Sequence, residues 1–158
     1  MLWRMMFNEG SEESPRIRVA AIIVRGNTVL LVKHRKAGRN YWMLPGGGVQ
    51  QGESLAEAVV RELSEETGLT VRPLELVLAN DSIAPDRSRH IVHLCFTAEI
   101  TGGELCCGED TRVVDAAFLP VDGLDRIELF PAFGETLRNM IRAGFPDRAR
   151  YLGRLWKP

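Results

Sequence analysis

The chain has 158 residues, 45% of them hydrophobic and 26% charged, with a formal net charge of -1 and a pI near 6.3. That composition fits one globular domain with a sizeable core and leaves no room for a second. It also excludes broad binding to a nucleic-acid backbone, which needs a basic face, and no apolar run approaches the roughly eighteen residues of a membrane-spanning helix.

Residues 1–15 read as an arm ahead of a single domain over residues 16–158. Leu2, Trp3, Met5, Met6 and Phe7 make it apolar, but the run is too short for the core of a secretory signal. It would serve to pack onto a second copy in a homodimer, or would lie free; the two readings stand level. Cys95, Cys106 and Cys107 are odd in number and lack CxxC spacing, which points to a reducing, cytoplasmic setting rather than a disulfide framework.

The β-branched run from Ile17 to Val24, the Gly26-Asn27 turn and the run from Thr28 to Lys33 predict a β-hairpin. A basic loop follows, with Lys33, His34, Arg35, Lys36 and Arg39 ahead of Tyr41 and Trp42. Such a loop is either a solvated surface or a place where Arg35, Lys36 and Arg39 meet phosphates, because it directly precedes Pro45-Gly46-Gly47-Gly48. Those glycines are no P-loop, since the Lys-Ser/Thr ending is missing. In a strand-to-helix turn they would instead let backbone carbonyls approach a ligand or metal closely.

Ser54 and Glu57 have the spacing of a capping box, so a helix starts at Leu55. Gly68 supplies a left-handed stop, so it ends near Thr67. At about 100° per residue, Leu55, Ala58, Val59, Glu62, Leu63 and Glu66 share one face, with Glu65 at its edge. The first two turns of that face are apolar and the last is acidic. Like charges at this spacing repel by about 0.2 to 0.5 kcal/mol per pair, and more where water is partly excluded. The turn is either a solvated acidic helix end, disfavoured by the negative end of the helix dipole, or a site where a bound cation would resolve that conflict. An all-oxygen donor set favours Mg2+ or Mn2+ over zinc.

Beyond the helix, Val71 to Leu78, Arg89 to Ile100 and Val113 to Leu119 read as strands, with a turn at Thr101-Gly102-Gly103-Glu104. A second helix is predicted from Phe133 to Ala143 with Gly144 as its stop. The tail from Phe145 onward is basic and aromatic, either a packed extension or a partner surface. Strands before and after a helix, with no regular βαβ alternation, predict an α+β fold.

The spacing of Gly47, Glu53, Arg61, Glu62, Leu63, Glu65, Glu66, Gly68 and Leu69 resembles the signature box of the Nudix hydrolases at every defined position. The similarity extends outside the box, over Ile17 to about Ala143. It implies an α/β/α sandwich with a mixed sheet between helices, and a divalent-metal-dependent hydrolase. Such an enzyme cleaves the diphosphate linkage of a nucleoside diphosphate joined to another moiety. By match to the box, Glu62, Glu65 and Glu66 are the metal ligands, with a carbonyl from Gly46 or Gly47. Arg61 lies off their face and pairs with Glu53 to hold the loop. The general base is Glu66, Glu109 or Asp110, the last two because their loop resembles one that supplies an extra acidic group in several relatives. Pro85, sixteen residues past Leu69, resembles a proline of ADP-ribose-cleaving relatives, which draws Arg87 and Arg89 toward the substrate. Nucleoside triphosphates and dinucleoside polyphosphates stay open as substrates. The alternative, a module that senses a nucleotide sugar without cleaving it, would be expected to carry a degenerate box.

Overall fold

A computed structural model of the protein describes residues 14–107 and 112–155. The apolar residues of the arm, together with Glu109 and Asp110, lie outside the described residues.

Strand β1 (Arg16–Ile22) lies between the two cores of the molecule. Its apolar run from Val19 to Ile23 is almost wholly buried. Alternate side chains serve two cores: Val19 and Ala21 join one cluster, Ala20 and Ile22 the other. A strand buried on both faces reads as a continuous apolar run rather than an alternating one.

The rest of the chain comprises β2 (Val24–Arg25), β3 (Thr28–Lys36), β4 (Arg39–Met43), β5 (Gly46–Gly48), helix α1 (Leu55–Thr67), β6 (Leu69–Ile83), β7 (His90–Gly103), β8 (Val113–Pro120), a 3-10 turn (Val121–Gly123), α2 (Gly134–Ala143) and β9 (Arg150–Arg154). One mixed sheet has the order β5-β1-β7-β6-β9, with β1 parallel to β7 and antiparallel to β5. In the second sheet β3 is central, paired with β8 along one edge and with β2 and β4 along the other. Val59 and Leu63 of α1 pack in the Val19 cluster, while Leu137 and Met140 of α2 pack in the Ala20 cluster. The two helices therefore flank the sheets, which is the expected α+β sandwich. Burying a Leu or Val side chain is worth about 1.5 to 3 kcal/mol, so Val59 and Leu63 hold α1 against the sheet on the same face that carries Glu62 and Glu66.

Several expectations change. The run from Ile17 to Val24 is not one hairpin strand: it breaks at Ile23, because β1 already has β5 and β7 on its two edges, and only Val24–Arg25 turns back on β3. The basic loop is itself a hairpin, β3 to β4, closed by Ala37 and Gly38 at φ 49° and 77°. Two successive positive φ values mark the tight turn that matches strand twist. The glycine run forms a short strand on β1 rather than a plain turn. The Thr101 to Gly103 segment is absorbed into β7, with Gly102 and Gly103 opposite Thr70 and Leu69. Over its described residues the tail is a packed extension, since β9 adds to the β6 edge. Cys95 is buried, Cys106 and Cys107 are exposed, and all three thiols are free. Among the described residues no helix is long and apolar enough to cross a membrane.

Candidate functional site

The capping box forms as read from the sequence: the Glu57 N-H donates to Ser54 Oγ at 3.2 Å and the Ser54 N-H to Glu57 Oε2 at 2.7 Å. At the other end Gly68 closes the helix at φ 69°. These two caps fix which helical turn carries Glu62, Glu65 and Glu66.

Glu66 is buried, with a side chain only 2% exposed. Its Oε2 accepts the Gly46 N-H at 2.7 Å, and its Oε1 stands 3.3 Å from His34 Nε2. Glu62 is buried beside it, and burial raises its pKa against the opposing pull of Arg61. Glu65 is half-exposed at the edge of the face.

Arg61 takes its expected partner and reaches further. It does pair with Glu53, through two bonds of 2.7 and 3.0 Å, and its guanidinium also donates to the Gly48 carbonyl at 3.0 Å. It reaches the predicted ligands as well, donating to Glu62 Oε1 at 2.7 Å and Glu65 Oε2 at 3.4 Å. Neighbouring backbone positions on a helix do not face each other, but the long side chain folds across to the acidic turn. Arg61 holds the Glu53 carboxyl below the usual range, with the Gln50 N-H adding to the effect.

Among the described residues no three His, Cys, Asp or Glu side chains form a ready metal shell, and Arg61 stands where the carboxylate charge is gathered. The groups present nonetheless fit a hard cation. They are carboxylate and carbonyl oxygens, and they include two buried glutamates one turn apart. Gly47 leaves them room: a Cβ there would lie 2.3 Å from the Glu62 carboxylate. Gly46, at φ 148°, tolerates no side chain either, since a Cβ would lie 2.1 Å from the Val19 carbonyl oxygen.

A cavity of about 870 Å³ opens over Glu66 and the three glycines. Of the predicted substrate-binding residues it collects Arg35, Lys36, Arg39 and Arg89, and leaves Arg87 outside its lining. Arg39 is paired with Glu128 at 2.6 Å and Arg35 donates to Asn40 at 3.1 Å. Glu53, Arg61, Glu62 and Glu65 are not part of the lining; they gather beside it, on the helix side of Gly47 and Gly48. The predicted base Glu109 lies outside the described residues, as does Asp110.

Sequence reasoning missed other lining groups. Arg16 and Arg18 alternate with apolar residues along β1, a period-two signal that the sequence does carry. The Arg18 guanidinium donates to the carbonyls of Leu44 and Gly46, at 3.0 and 2.8 Å, so it props the glycine strand. His34 and His93 carry no local signal; only strand pairing brings one beside Glu66 and the other to the cavity wall.

The fold has solved counterparts. A NUDIX hydrolase from Nitrosomonas europaea superposes with a TM-score of 0.74 at 23% identity, over 84% of this chain and 91% of that one. The profile of the NUDIX domain matches residues 14–142, and the chain belongs to that family. The ADP-ribose pyrophosphatase of Methanocaldococcus jannaschii is 35% identical over 114 residues, which is 72% of this chain and 66% of the relative. Phosphatase NudJ of Escherichia coli (strain K12) is 34% identical over 74 residues, 47% of this chain and 48% of its own. The matched stretch thus spans about two thirds of the first curated relative and about half of the second.

Proposed function

We propose that the protein is a divalent-metal-dependent pyrophosphohydrolase. Its substrate is a nucleoside diphosphate joined to another moiety, with ADP-ribose as the leading member of the class. The observation that carries this reading is the buried Glu66 carboxylate set directly against the glycine strand in a cation-bearing cavity, with Glu62 and Glu65 beside it on the same helical turn. The 35% identity to an ADP-ribose pyrophosphatase supports the substrate class.

Glu62, Glu65 and Glu66, with the Gly47 carbonyl, would hold Mg2+, or Mn2+ in its place. Such an ion, when bound, neutralises phosphate oxygens and lowers the pKa of a coordinated water. The chain's own groups do the remainder. Arg35, Lys36, Arg39 and Arg89 neutralise and orient the phosphates at the cavity. Arg61 and Glu53 fasten the 48–53 loop to α1 and keep the acidic turn in register. Glu66, whose Oε2 accepts the Gly46 N-H, would take a proton from the attacking water, with Glu109 and Asp110 as the other candidates. The free thiols fit a reducing, cytoplasmic setting. An apolar arm suits a homodimer.

The test is product-resolved hydrolysis of ADP-ribose, nucleotide sugars, nucleoside triphosphates and dinucleoside polyphosphates with Mg2+ or Mn2+. ADP-ribose should yield AMP and ribose 5-phosphate, and the reaction should stop with EDTA. Saturable, base-selective binding of a nucleotide sugar with no turnover would favour the sensing module instead.

A further inference from the structure

Four rings in the cavity lining follow one another. His34 stacks on Tyr41 at 5.8 Å, Tyr41 meets Phe130 edge to face at 6.2 Å, and Phe130 meets His93 in the same way at 6.2 Å. The first ring stands beside Glu66 and the last is buried on β7. An aromatic wall thus leads from the proposed reaction centre to a buried imidazole.

The far end of that wall is chemically unfinished. Nε2 of His93, both amide atoms of Asn80 and Oγ of Ser82 are buried without a hydrogen-bond partner among the described residues. Asn80 is the cross-strand neighbour of His93, and Ser82 that of Ile91, so the three polar side chains share one face of the sheet. Buried polar atoms are nearly always paired; of these three residues His93 lines the cavity while Asn80 and Ser82 do not, so its imidazole is the group that a ligand in the cavity can meet. Burial, with Arg18 and Arg89 adding to it, pushes the His93 pKa down to about 3. Its imidazole is therefore neutral near pH 7 and offers one donor and one acceptor rather than a charge.

We propose that the aromatic wall takes the flat heterocyclic base of the substrate, and that His93, backed by Asn80 and Ser82, hydrogen-bonds the edge of that base and decides which base is accepted. The inference rests on the nucleotide reading above. The cations near the glycine strand contact phosphates common to every nucleotide, so they cannot rank bases. A polar patch that a wrong base would leave unpaired can.

Calorimetric binding of AMP, GMP, UMP, CMP and ribose 5-phosphate to the intact protein tests this without turnover, beside kcat/KM for ADP-, GDP- and UDP-linked sugars. The parent should prefer one base by about tenfold or more, and bind that nucleotide more tightly than ribose 5-phosphate. His93→Phe keeps a ring and removes both hydrogen-bonding atoms, so it should compress the spread to within about threefold. His93→Gln keeps a donor and an acceptor and should retain or reassign the preference. Should His93→Phe fail to fold, His93→Leu, which also removes both hydrogen-bonding atoms, carries the same comparison. An unchanged ranking in His93→Phe, or a parent that ranks no base, would overturn the proposal and leave the patch to internal water alone. Base-ranked binding that depends on His93, with no hydrolysis of any substrate, would sink the hydrolase reading and leave this one standing.

Discussion

Gly47 lies against Glu62 so closely that a Cβ on the glycine would stand 2.3 Å from the carboxylate carbon. The glycine strand and the acidic turn are therefore fitted as one unit. Gly47→Ala should push Glu62 out of place, weakening the Mg2+ response in melting experiments and lowering kcat by about a hundredfold, the loss typical of a misplacement near 1 Å. An alanine variant with parental rate and metal response would mean that the carboxylate can move aside freely.

Arg61 makes a fork to Glu53 and reaches Glu62 with the same guanidinium. Lysine cannot reproduce a bidentate contact. Arg61→Lys should lower stability modestly and raise the Mg2+ concentration needed for half-maximal rate. Denaturant melts and a metal titration check both effects.

Arg89 lines the cavity and Arg87 does not. Arg89→Ala should raise KM for the best substrate several-fold with kcat little changed, while Arg87→Ala, on the exposed stretch 85–89, should leave both near parental values. Steady-state kinetics on the pair decide; equal effects would return the whole turn to the binding surface.

His93 is buried, and burial holds its pKa near 3 against an ordinary 6.5. Between those values the unfolded chain binds a proton that the folded chain refuses. The stability linked to this group is complete above about pH 6.5 and falls as pH drops toward 3, by about 1.4 kcal/mol per pH unit. His93→Gln should flatten that part of the curve. Losses linked to Asp81, whose carboxyl is held low by Tyr151 and then His90, belong below its ordinary value near 4 and should persist in the variant.

Local chemistry makes α1 legible in the sequence itself. Ser54, Glu57 and Gly68 bracket the helix, and its periodicity places Glu62 and Glu66 inward, as found. Pairing across the chain is not legible in this way. β1 runs parallel to β7, and no residue in Ile17 to Val24 announces a partner so distant in sequence. The β3–β4 hairpin is hidden because Ala37 takes a positive φ that its side chain disfavours. His34 and His93 escape notice for the same reason as the sheet, since each acquires its neighbours only through strand register. For Arg61, the i,i+4 spacing to Glu65 is a local signal, whereas its bond to the adjacent Glu62 depends on how far the guanidinium folds back and has none.

The most direct test of the account is Glu66→Gln, compared with the parent in melting curves with and without Mg2+ and in turnover on ADP-ribose. Without metal the variant should be as stable as the parent or slightly more so, because one like-charge contact is gone. With Mg2+ it should lose much of the stabilisation that an ion binding only the folded state confers. Its rate should fall by several orders of magnitude, since metal-assisted charge neutralisation contributes several kcal/mol and each 1.36 kcal/mol is about tenfold. A variant that keeps both its Mg2+-induced rise in melting temperature and its turnover would contradict the account and remove Glu66 from the site.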